Sequence, residues 1–292
     1  MPDNYLLDPR LVRRSFDSAA KTFDAAAAVH AEIRSRLLER LDVVRIEPKL
    51  VVDLGAGTGH ASRALQQRYR SAHLIAADLS RPMLLQARRQ QRFLRRFERL
   101  ICDAQHLPLK DSVADLVFSN LMLQWCNDVD AVFAEIRRVL RSGGLLTFTS
   151  LGPDSLQELR AAWSRVDPHV HIHRFIDMHD LGDALLRAGF AEPVMDAERL
   201  TVTYPALDAL LKELRDTGSR NTALGRRPGL TGRSALTTLR STYEELRSAG
   251  SLPATLEVVY GHAWSVDRPK RHEPSGEAWV PVAEIGRRRR RI

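Results

Sequence analysis

The chain has 292 residues, of which 44% are hydrophobic and 27% charged, as is typical of a globular protein with a buried core. No apolar run approaches the roughly 20 residues that span a bilayer, and residues 1–14 lack a signal-peptide segment, so we expect neither a membrane protein nor a secreted one. Cys102 and Cys126 have no metal-site or disulfide spacing, which favours a cytoplasmic location. The net charge of +8, carried mostly by arginine, favours anionic partners, although a GC-rich genome would also produce this composition.

The first 150 residues predict helices followed by strands that alternate with helices. Residues 8–44 are expected to be helical, because apolar residues recur at helical spacing between positions 19 and 41. Short apolar runs predict five strands, at 50–54, 73–77, 100–102, 114–119 and 145–149. The segments between them predict helices at 61–69, 82–97 and 129–140, and a turn at 142–144. This alternation predicts a parallel sheet covered on both faces, whose ligands bind beyond the carboxyl ends of the strands.

The C-terminal half predicts two further strands with helices inserted between them. Helices are expected at 155–166 and 181–188, and strands at 191–204 and 255–264. The segment at 205–248, between the two strands, is expected to be largely helical, with a loop at 225–232. We therefore predict an α/β, Rossmann-like fold: a mostly parallel seven-stranded sheet with helices on both faces and an inserted helical cap. The predicted parts are an N-terminal helical region 1–45, a core 46–204 with 152–180 at the active-site rim, a cap 205–252, a final strand 253–264 and a flexible basic tail 265–292.

Glycines at positions 55, 57 and 59 follow the first predicted strand, where they allow a tight turn and the close approach of a ligand. A dinucleotide-binding loop has the pattern G-x-G-x-x-G, which would need a glycine at position 60. His60 occupies that position, and the third glycine comes one residue earlier. This spacing favours an adenosyl ligand without phosphates.

Three acidic residues lie at or near the ends of the first three predicted strands. Asp78 ends the second strand, where a carboxylate accepts both ribose hydroxyls. Asp103 suits the adenine amino group, and Asp53 suits the amino group of a methionine moiety. Each acid alone could be a helix N-cap or a surface residue, but the three together favour S-adenosylmethionine as the cofactor. The predicted cofactor-binding residues are Asp53, Gly55, Ala56, Gly57, Gly59, Asp78, Leu79, Met83, Asp103, Ala104 and Asn120.

Several longer stretches narrow the family. Residues 51–59, 77–80, 103–109 and 140–144 resemble class I methyltransferases in general. More specific stretches are 15–20 (SFDSAA), 119–121, 124–125, 152–159 (GPDSLQEL), 175–180 (FIDMHD), 193–196 and 260–264 (YGHAW). Over residues 13–264 the chain resembles the malonyl-acyl-carrier-protein O-methyltransferases of biotin synthesis, which use S-adenosylmethionine. It departs from them at Phe23-Asp24, where the family often has Tyr-Asp, so a hydroxyl function is absent there.

The resemblance implies that S-adenosylmethionine methylates the free carboxylate of malonyl-acyl carrier protein, leaving S-adenosylhomocysteine and a methyl ester that primes pimeloyl synthesis. A carboxylate is already ionised at neutral pH, so no catalytic base is required and side chains are expected to position the reactants. The candidates for positioning the substrate are Gln124, Trp125, Arg174, His179 and Tyr260. Trp125 could equally be a core residue, and His179 a helix cap. We expect no metal, because no carboxylate or cysteine completes a ligand set with His171 and His173.

The carrier protein implied by the resemblance is acidic, and arginines near the cleft would steer and dock it. The docking candidates lie in the predicted cap: Arg220, Arg226, Arg227 and Arg233. A second arginine-rich stretch, residues 88–99, is instead expected to be a solvated helix face. No nucleic-acid partner is expected, because the basic run at 287–291 lacks interleaved aromatic residues.

Two other functions of the same fold stay open from the sequence. One changes the methyl acceptor to a small molecule, such as a quinone precursor or a short carboxylic acid, and predicts activity without a carrier protein. The other is a non-methylating protein similar to the arginine-hydroxylating assembly factors of respiratory complex I, which would bind S-adenosylmethionine without methyl turnover.

Overall fold

The computed structural model describes residues 3–92 and 95–267. Seven strands in that part of the chain form one sheet: β1 Leu50–Leu54, β2 His73–Asp78, β3 Glu98–Ile101, β4 Ala114–Asn120, β5 Leu140–Leu151, β6 Phe190–Tyr204 and β7 Leu252–Ser265. The same residues form ten α-helices: α1 Pro9–Ala19, α2 Phe23–Ala26, α3 Ala28–Arg40, α4 His60–Arg68, α5 Arg81–Ala87, α6 Val129–Val139, α7 Gln157–Ser164, α8 Met178–Arg187, α9 Leu207–Asp216 and α10 Arg233–Glu244. None of these helices is both long enough and apolar enough to cross a membrane. Most of the predicted tail, including the basic run at 287–291, lies outside the described residues.

The strand order in the sheet is β3-β2-β1-β4-β5-β7-β6. Strands β1 to β5 run parallel, whereas β7 pairs antiparallel with both β5 and β6. The predicted mostly parallel, seven-stranded fold is confirmed. Because Leu54 pairs with Ala77 and Asp53 pairs with Phe118, the carboxyl ends of β1, β2 and β4 meet at one edge of the sheet.

The alternation of side chains across the strands divides the core into two apolar layers. Val52 and Leu54 of β1 pack on one face with side chains of α6 and α8. Val51 points to the other face and packs with Ile33 and Leu37 of α3 and with side chains of α4 and α5. Burial of each such side chain contributes about 1.5–3 kcal/mol. The two layers therefore fix the strand ends, and with them the loops that follow.

The helix predicted at 82–97 is wrong beyond its first two turns. α5 ends at Ala87, and only a single 3-10 turn follows it. Phe97, 3% exposed, packs against the start of α4, and Glu98 begins β3, so the chain returns to the sheet instead of continuing a helix. The stretch at 88–99 is therefore not a solvated helix face; Arg99, for example, lies on β3.

The turn predicted at 142–144 lies inside β5 as an irregularity in the strand. Ala114 of β4 pairs with Leu140, but Leu116 pairs with Leu145, so the intervening residues of β5 bulge out of the ladder. Gly143 has a φ of 74°, which accommodates this bulge.

The segment between α9 and α10 is less helical than predicted, because it pairs with the N-terminal segment. The Asp8 N–H donates to the Thr222 carbonyl at 2.9 Å, and the Leu224 N–H donates to the Leu6 carbonyl at 2.8 Å. Leu7, between these contacts, lines a cavity at the carboxyl edge of the sheet. The inserted segment and the N-terminus are therefore tied together above that edge.

Candidate active site

A cavity opens where β1, β2 and β4 end, and residues of α1 and α2 close one side of it. This first cavity encloses about 1330 Å³ of empty space, measured out to its mouth. Every predicted cofactor-binding residue except Gly59 lines it. The lining residues from that prediction are Asp53, Gly55, Ala56, Gly57, Asp78, Leu79, Met83, Asp103, Ala104 and Asn120. The sheet register thus brings the ends of four strands to one space.

Two glycines of the loop between β1 and α4 have different functions. Gly57 has a φ of 52° and Gly59 a φ of 82°, in the left-handed region that favours glycine. The Gly57 N–H donates to Asp78 Oδ2 at 2.8 Å, and a Cβ on Gly57 would meet no atom within 4 Å beyond its chain neighbours. A Cβ on Gly59 would lie 2.7 Å from the Cβ of Ala87. Gly57 therefore leaves space for a ligand, whereas Gly59 allows α4 and α5 to pack.

Asp53 is the most deeply buried acid of the first cavity, with 1% of its surface exposed. Burial raises the pKa of its carboxyl from 3.8 to about 7, against the opposing effect of the hydrogen bond from the Ser62 hydroxyl. The guanidinium of Arg34, which lines the same cavity, favours the ionised form of this carboxyl. A bound cation would favour that form further, so this end of the cavity suits a ligand with a positive charge.

Asp78 and Asp103 continue the acidic lining along the ends of β2 and β3. Asp78 accepts hydrogen bonds from the backbone N–H groups of Gly57, at 2.8 Å, and Ser80, at 2.7 Å, and burial raises its pKa. Asp103 accepts a hydrogen bond from the Gln105 N–H at 2.9 Å. These backbone donors hold both carboxylates in place, and the remaining lone pairs can accept from ligand hydroxyl or amino groups.

Helices α1 to α3 contribute lining residues that were not predicted from the sequence. These residues are Val12, Phe16, Phe23, His30 and Arg34. Two acids fasten the helices to the loops below: the Ser80 hydroxyl donates to Asp17 at 2.6 Å, and the Thr58 hydroxyl donates to Asp24 at 2.5 Å. The sequence signals for this part of the site were the stretch at 15–20, which the family resemblance included without assigning it a function, and the departure from the family at Phe23-Asp24.

A second cavity adjoins the first and shares three wall residues with it: His30, Leu121 and Trp125. We call this shared wall the junction. The second cavity encloses about 1460 Å³ of empty space out to its mouth, and apolar side chains, including some from α7, α9 and strands β5 to β7, form most of its wall. Gln124 lines the second cavity and Trp125 lines both, so the structure brings these two predicted positioning residues together.

The polar side chains near the junction are neutral and incompletely hydrogen-bonded. Gln124 Nε2 donates to the Leu121 carbonyl at 2.8 Å, while its Oε1 has no partner within the described residues. Burial lowers the pKa of both His30 and His173 to about 4, so both rings are neutral at physiological pH. His173 lies 5.0 Å from Trp125, ring centre to ring centre, and had been noted in the sequence only as an unlikely metal ligand.

Three of the predicted positioning residues line neither cavity, and those assignments are corrected. Arg174 is exposed, with its guanidinium 5.9 Å from the ring centre of Tyr5. The side chain of His179 is 84% exposed and hydrogen-bonded to Asp177, which caps α8. Tyr260 is buried on the face of β7 that packs with α3, with the Arg40 guanidinium 4.0 Å from its ring centre.

The four predicted docking arginines lie in or next to the irregular segment between α9 and α10. Arg220 is exposed and lines the second cavity, and Arg233 is exposed at the start of α10. Arg226 donates to the Ala223 carbonyl at 3.2 Å, and Arg227 lies 3.6 Å from Asp167.

His171, the first of the two alternating histidines, has a packing function. His171 is hydrogen-bonded to Asp167 at 2.8 Å and stacks on Trp163, with ring centres 3.6 Å apart. Within residues 3–92 and 95–267, no three histidine, cysteine, aspartate or glutamate side chains are grouped so that they could hold a metal ion.

Comparisons with known proteins agree on the class of protein to which this site belongs. The family described as a methyltransferase domain matches residues 52–148. A malonyl-acyl-carrier-protein O-methyltransferase from Methylovorus sp. is 50% identical over 90% of each chain, and a protein of the same name from Halorhodospira halophila is 43% identical over 99% of each chain.

Solved structures show the same fold at low sequence identity. A methyltransferase from Bacillus halodurans, of unassigned substrate, matches with a TM-score of 0.57 and 16% identity, covering 80% of this chain and 98% of its own. A Haemonchus contortus phosphoethanolamine N-methyltransferase, in complex with S-adenosylhomocysteine, matches with a TM-score of 0.55 and 18% identity, covering 86% of this chain and 57% of its own.

Proposed function

The chain belongs to the family of malonyl-acyl-carrier-protein O-methyltransferases, and we propose that it methylates the free carboxylate of malonyl-acyl carrier protein. S-adenosylmethionine is the methyl donor, S-adenosylhomocysteine the second product, and the methyl ester serves biotin synthesis. The observation that carries the proposal is the junction at Trp125, where an acid-lined cavity for a cationic nucleoside meets a largely apolar cavity for an acyl substrate.

The first cavity fits S-adenosylmethionine, which supplies an electrophilic methyl group on a cationic sulfur when bound. We expect Asp78 to accept from the ribose hydroxyls, Asp103 from the adenine amino group and Asp53 from the methionine ammonium group. Arg34, which acts electrostatically on Asp53, suits the methionine carboxylate. The opposite charges of Asp53 and Arg34 thus match the zwitterionic end of this ligand.

The junction suits methyl transfer to a carboxylate because it can align the reactants without supplying a base. The acceptor is already ionised at neutral pH, and the His30 ring, with its pKa lowered to about 4 by burial, places no charge there. Trp125 forms an apolar wall between the cavities, and Phe16 packs edge-on against it at 5.1 Å between ring centres. Exclusion of water and alignment of the two reacting atoms are the contributions that such a site can make.

The test is incubation of the protein with labelled S-adenosylmethionine and malonyl-acyl carrier protein, malonyl-coenzyme A or a free short-chain carboxylic acid. We expect a labelled methyl ester on the malonyl group of the carrier protein. If S-adenosylmethionine binds by calorimetry but no malonyl substrate is methylated, the proposal is wrong and a non-methylating function is favoured. Turnover of the free acids alone would instead favour a small-molecule methyltransferase.

We further propose that the carrier protein docks on the segment at 217–233. Arg220, Arg226 and Arg233 lie in or next to this segment, and Leu224 and Leu230 are 54% and 94% exposed there. Arginine beside exposed apolar side chains is typical of protein interfaces, and an acidic carrier protein would complement the positive charge. The same segment borders the second cavity at Arg220, so a carrier docked there would lie next to that cavity.

A reducing cytoplasm is the setting that we propose for this reaction. Cys102 and Cys126 are free thiols, and both line the first cavity. Burial raises the pKa of each thiol to about 12, which keeps them protonated and weakly reactive beside the cofactor.

A further inference from the structure

We infer that the second cavity is the channel for the neutral, amide-bearing arm on which the malonyl group is presented, with Gln124 and His173 as hydrogen-bonding residues for an amide of that arm. This inference rests on the proposed function, because a carrier protein or coenzyme A presents its acyl group on such an arm. It assigns the cavity and the two residues, neither of which follows from the family membership.

The position of the second cavity fits a channel that leads to the methyl donor. One end is the junction with the first cavity. The exposed residues Arg215 and Arg220 also line it, so its other end reaches the surface beside the proposed docking segment. A substrate entering past Arg220 would therefore reach Trp125 before it met the first cavity.

The wall of the second cavity matches a chain of methylene and amide groups. Its apolar residues include Leu151, Leu156, Leu159, Phe175, Leu210 and Leu256. Its charged residues, Glu213, Arg215 and Arg220, all lie within residues 213–220, away from the junction in the chain, and Arg215 is paired with Asp216. Apolar side chains form most of the wall and disfavour a charged occupant, so the cavity suits the neutral arm, and the malonyl carboxylate would lie at the junction because it must meet the methyl donor there.

Unpartnered polar atoms identify where the arm would be held. Seven buried side-chain polar atoms lack a hydrogen-bond partner in the described part of the chain, and three of them belong to residues of this cavity: His30, Gln124 and His173. Gln124 and His173 are each 6% exposed. Because Gln124 Nε2 already donates to the Leu121 carbonyl, its orientation is fixed and its free Oε1 can only accept.

Amide groups of the arm can satisfy both residues, and one amide suffices for Gln124. The N–H of that amide can donate to Gln124 Oε1, and the neutral imidazole of His173 can pair with a further polar group of the same arm. A buried polar atom left without a partner destabilises a complex, so binding of an arm without an amide should be weaker.

The test compares two thioester substrates of equal length in wild-type protein and in a variant without the acceptor. Malonyl-N-acetylcysteamine contains one amide, and malonyl pentyl thioester contains none. We expect wild-type kcat/KM to be about tenfold higher for the amide-bearing substrate, as for one hydrogen bond of about 1.4 kcal/mol. Gln124→Met should abolish this preference by lowering kcat/KM for the amide-bearing substrate alone. The control is Gln157→Met, the same change at an exposed position on α7, which should preserve the preference.

A binding measurement separates this inference from the proposed function. Unreactive thioether analogues of the two substrates, with a methylene in place of the thioester carbonyl, are titrated by calorimetry in the presence of S-adenosylhomocysteine. Equal affinities in wild-type protein, or an equal loss of both in Gln124→Met, would overturn the inference whatever the turnover results. Absence of methylation with a retained tenfold difference in affinity would overturn the proposed function alone. The thermal midpoint and S-adenosylhomocysteine affinity of each variant show that it is folded.

Discussion

At the scale of single residues, Asp53 is a buried acid whose burial lowers the stability of the ligand-free protein. Its pKa rises from 3.8 in the unfolded chain to about 7 in the folded protein, so the folded state retains the proton to higher pH. The contribution of Asp53 to the free energy of unfolding should therefore fall by up to about 1.4 kcal/mol per pH unit between pH 4 and 7 and stay constant above that range. Asp53→Asn has no such proton to lose. We expect Asp53→Asn to have a higher thermal midpoint than the wild-type protein by calorimetry, and this difference should be several degrees larger at pH 8 than at pH 5.

The same residue predicts how cofactor affinity depends on pH. The ionised Asp53 carboxylate should bind the methionine ammonium group, so wild-type affinity for S-adenosylhomocysteine should weaken as the pH falls below 7. Asp53→Asn should bind about 10- to 100-fold more weakly at pH 8, as for the loss of a charge-assisted hydrogen bond, and its affinity should change little with pH. Asp183→Asn, at an exposed position on α8, is the control. A wild-type affinity that stays constant from pH 5 to 8 would contradict this assignment.

The residues of the site that could be predicted from the sequence are those attached to strand ends. Asp53, Asp78 and Asp103 follow from the alternating pattern, because parallel strands bring their carboxyl ends to one edge. His30 could not be found this way, since it comes from α3 and reaches the site through the packing of that helix on the sheet. Tyr260 lines neither cavity because a strand has two faces, and its pattern does not tell which face borders a cavity.

At the scale of secondary-structure elements, the loop between β1 and α4 contains two glycines with different functions. Gly57 leaves space for the ligand, and Gly59 allows α4 to pack against α5. Gly57→Ala and Gly59→Ala both force alanine into a left-handed conformation, at a cost of about 1–2 kcal/mol. Only the Cβ at Gly59 also overlaps Ala87. We therefore expect Gly59→Ala to lower the thermal midpoint clearly more than Gly57→Ala does. Gly57→Ala should weaken S-adenosylhomocysteine binding while it loses less stability than Gly59→Ala. Thermal unfolding and calorimetric titration of both variants check this, and the reverse order would refute the assignment.

The elements that could be predicted are those with their own hydrophobic pattern. β1 has the predicted bounds of 50–54, because a short run that is apolar except for Asp53 and is flanked by Pro48 and Gly55 leaves little choice. The pairing of residues 222–225 with the N-terminal segment has no such pattern, since it consists of a few backbone hydrogen bonds between distant parts of the chain. The helix predicted at 82–97 failed for a related reason: arginine favours helices, but the packing of Phe97 against the start of α4 and the pairing of Glu98 with β2 are tertiary contacts that the local pattern does not contain.

For the molecule as a whole, the net charge of +8 is not spread evenly. One arginine-rich surface is the segment at 217–233, which borders the second cavity at Arg220. Another is the sheet edge at β3, where Arg81, Arg88 and Arg99 surround a shallow groove beside the exposed side chains of Leu85 and Ile101. Composition could not choose between these surfaces. Their positions favour the first, because only the first adjoins the cavity that we assign to the substrate arm.

Charge reversal on each surface tests that choice. Arg226→Glu with Arg233→Glu changes the segment at 217–233 without altering a residue of either cavity, and Arg81→Glu with Arg88→Glu is the matched change at the sheet edge. Because an acidic partner is attracted over several ångströms, we expect the first pair to raise the KM for malonyl-acyl carrier protein by about tenfold at low salt. It should leave the KM for malonyl-N-acetylcysteamine unchanged, and added salt should reduce the difference between variant and wild type. If the sheet-edge pair alone raises the carrier-protein KM, the carrier docks at β3 and its arm must reach the junction from the side of the first cavity.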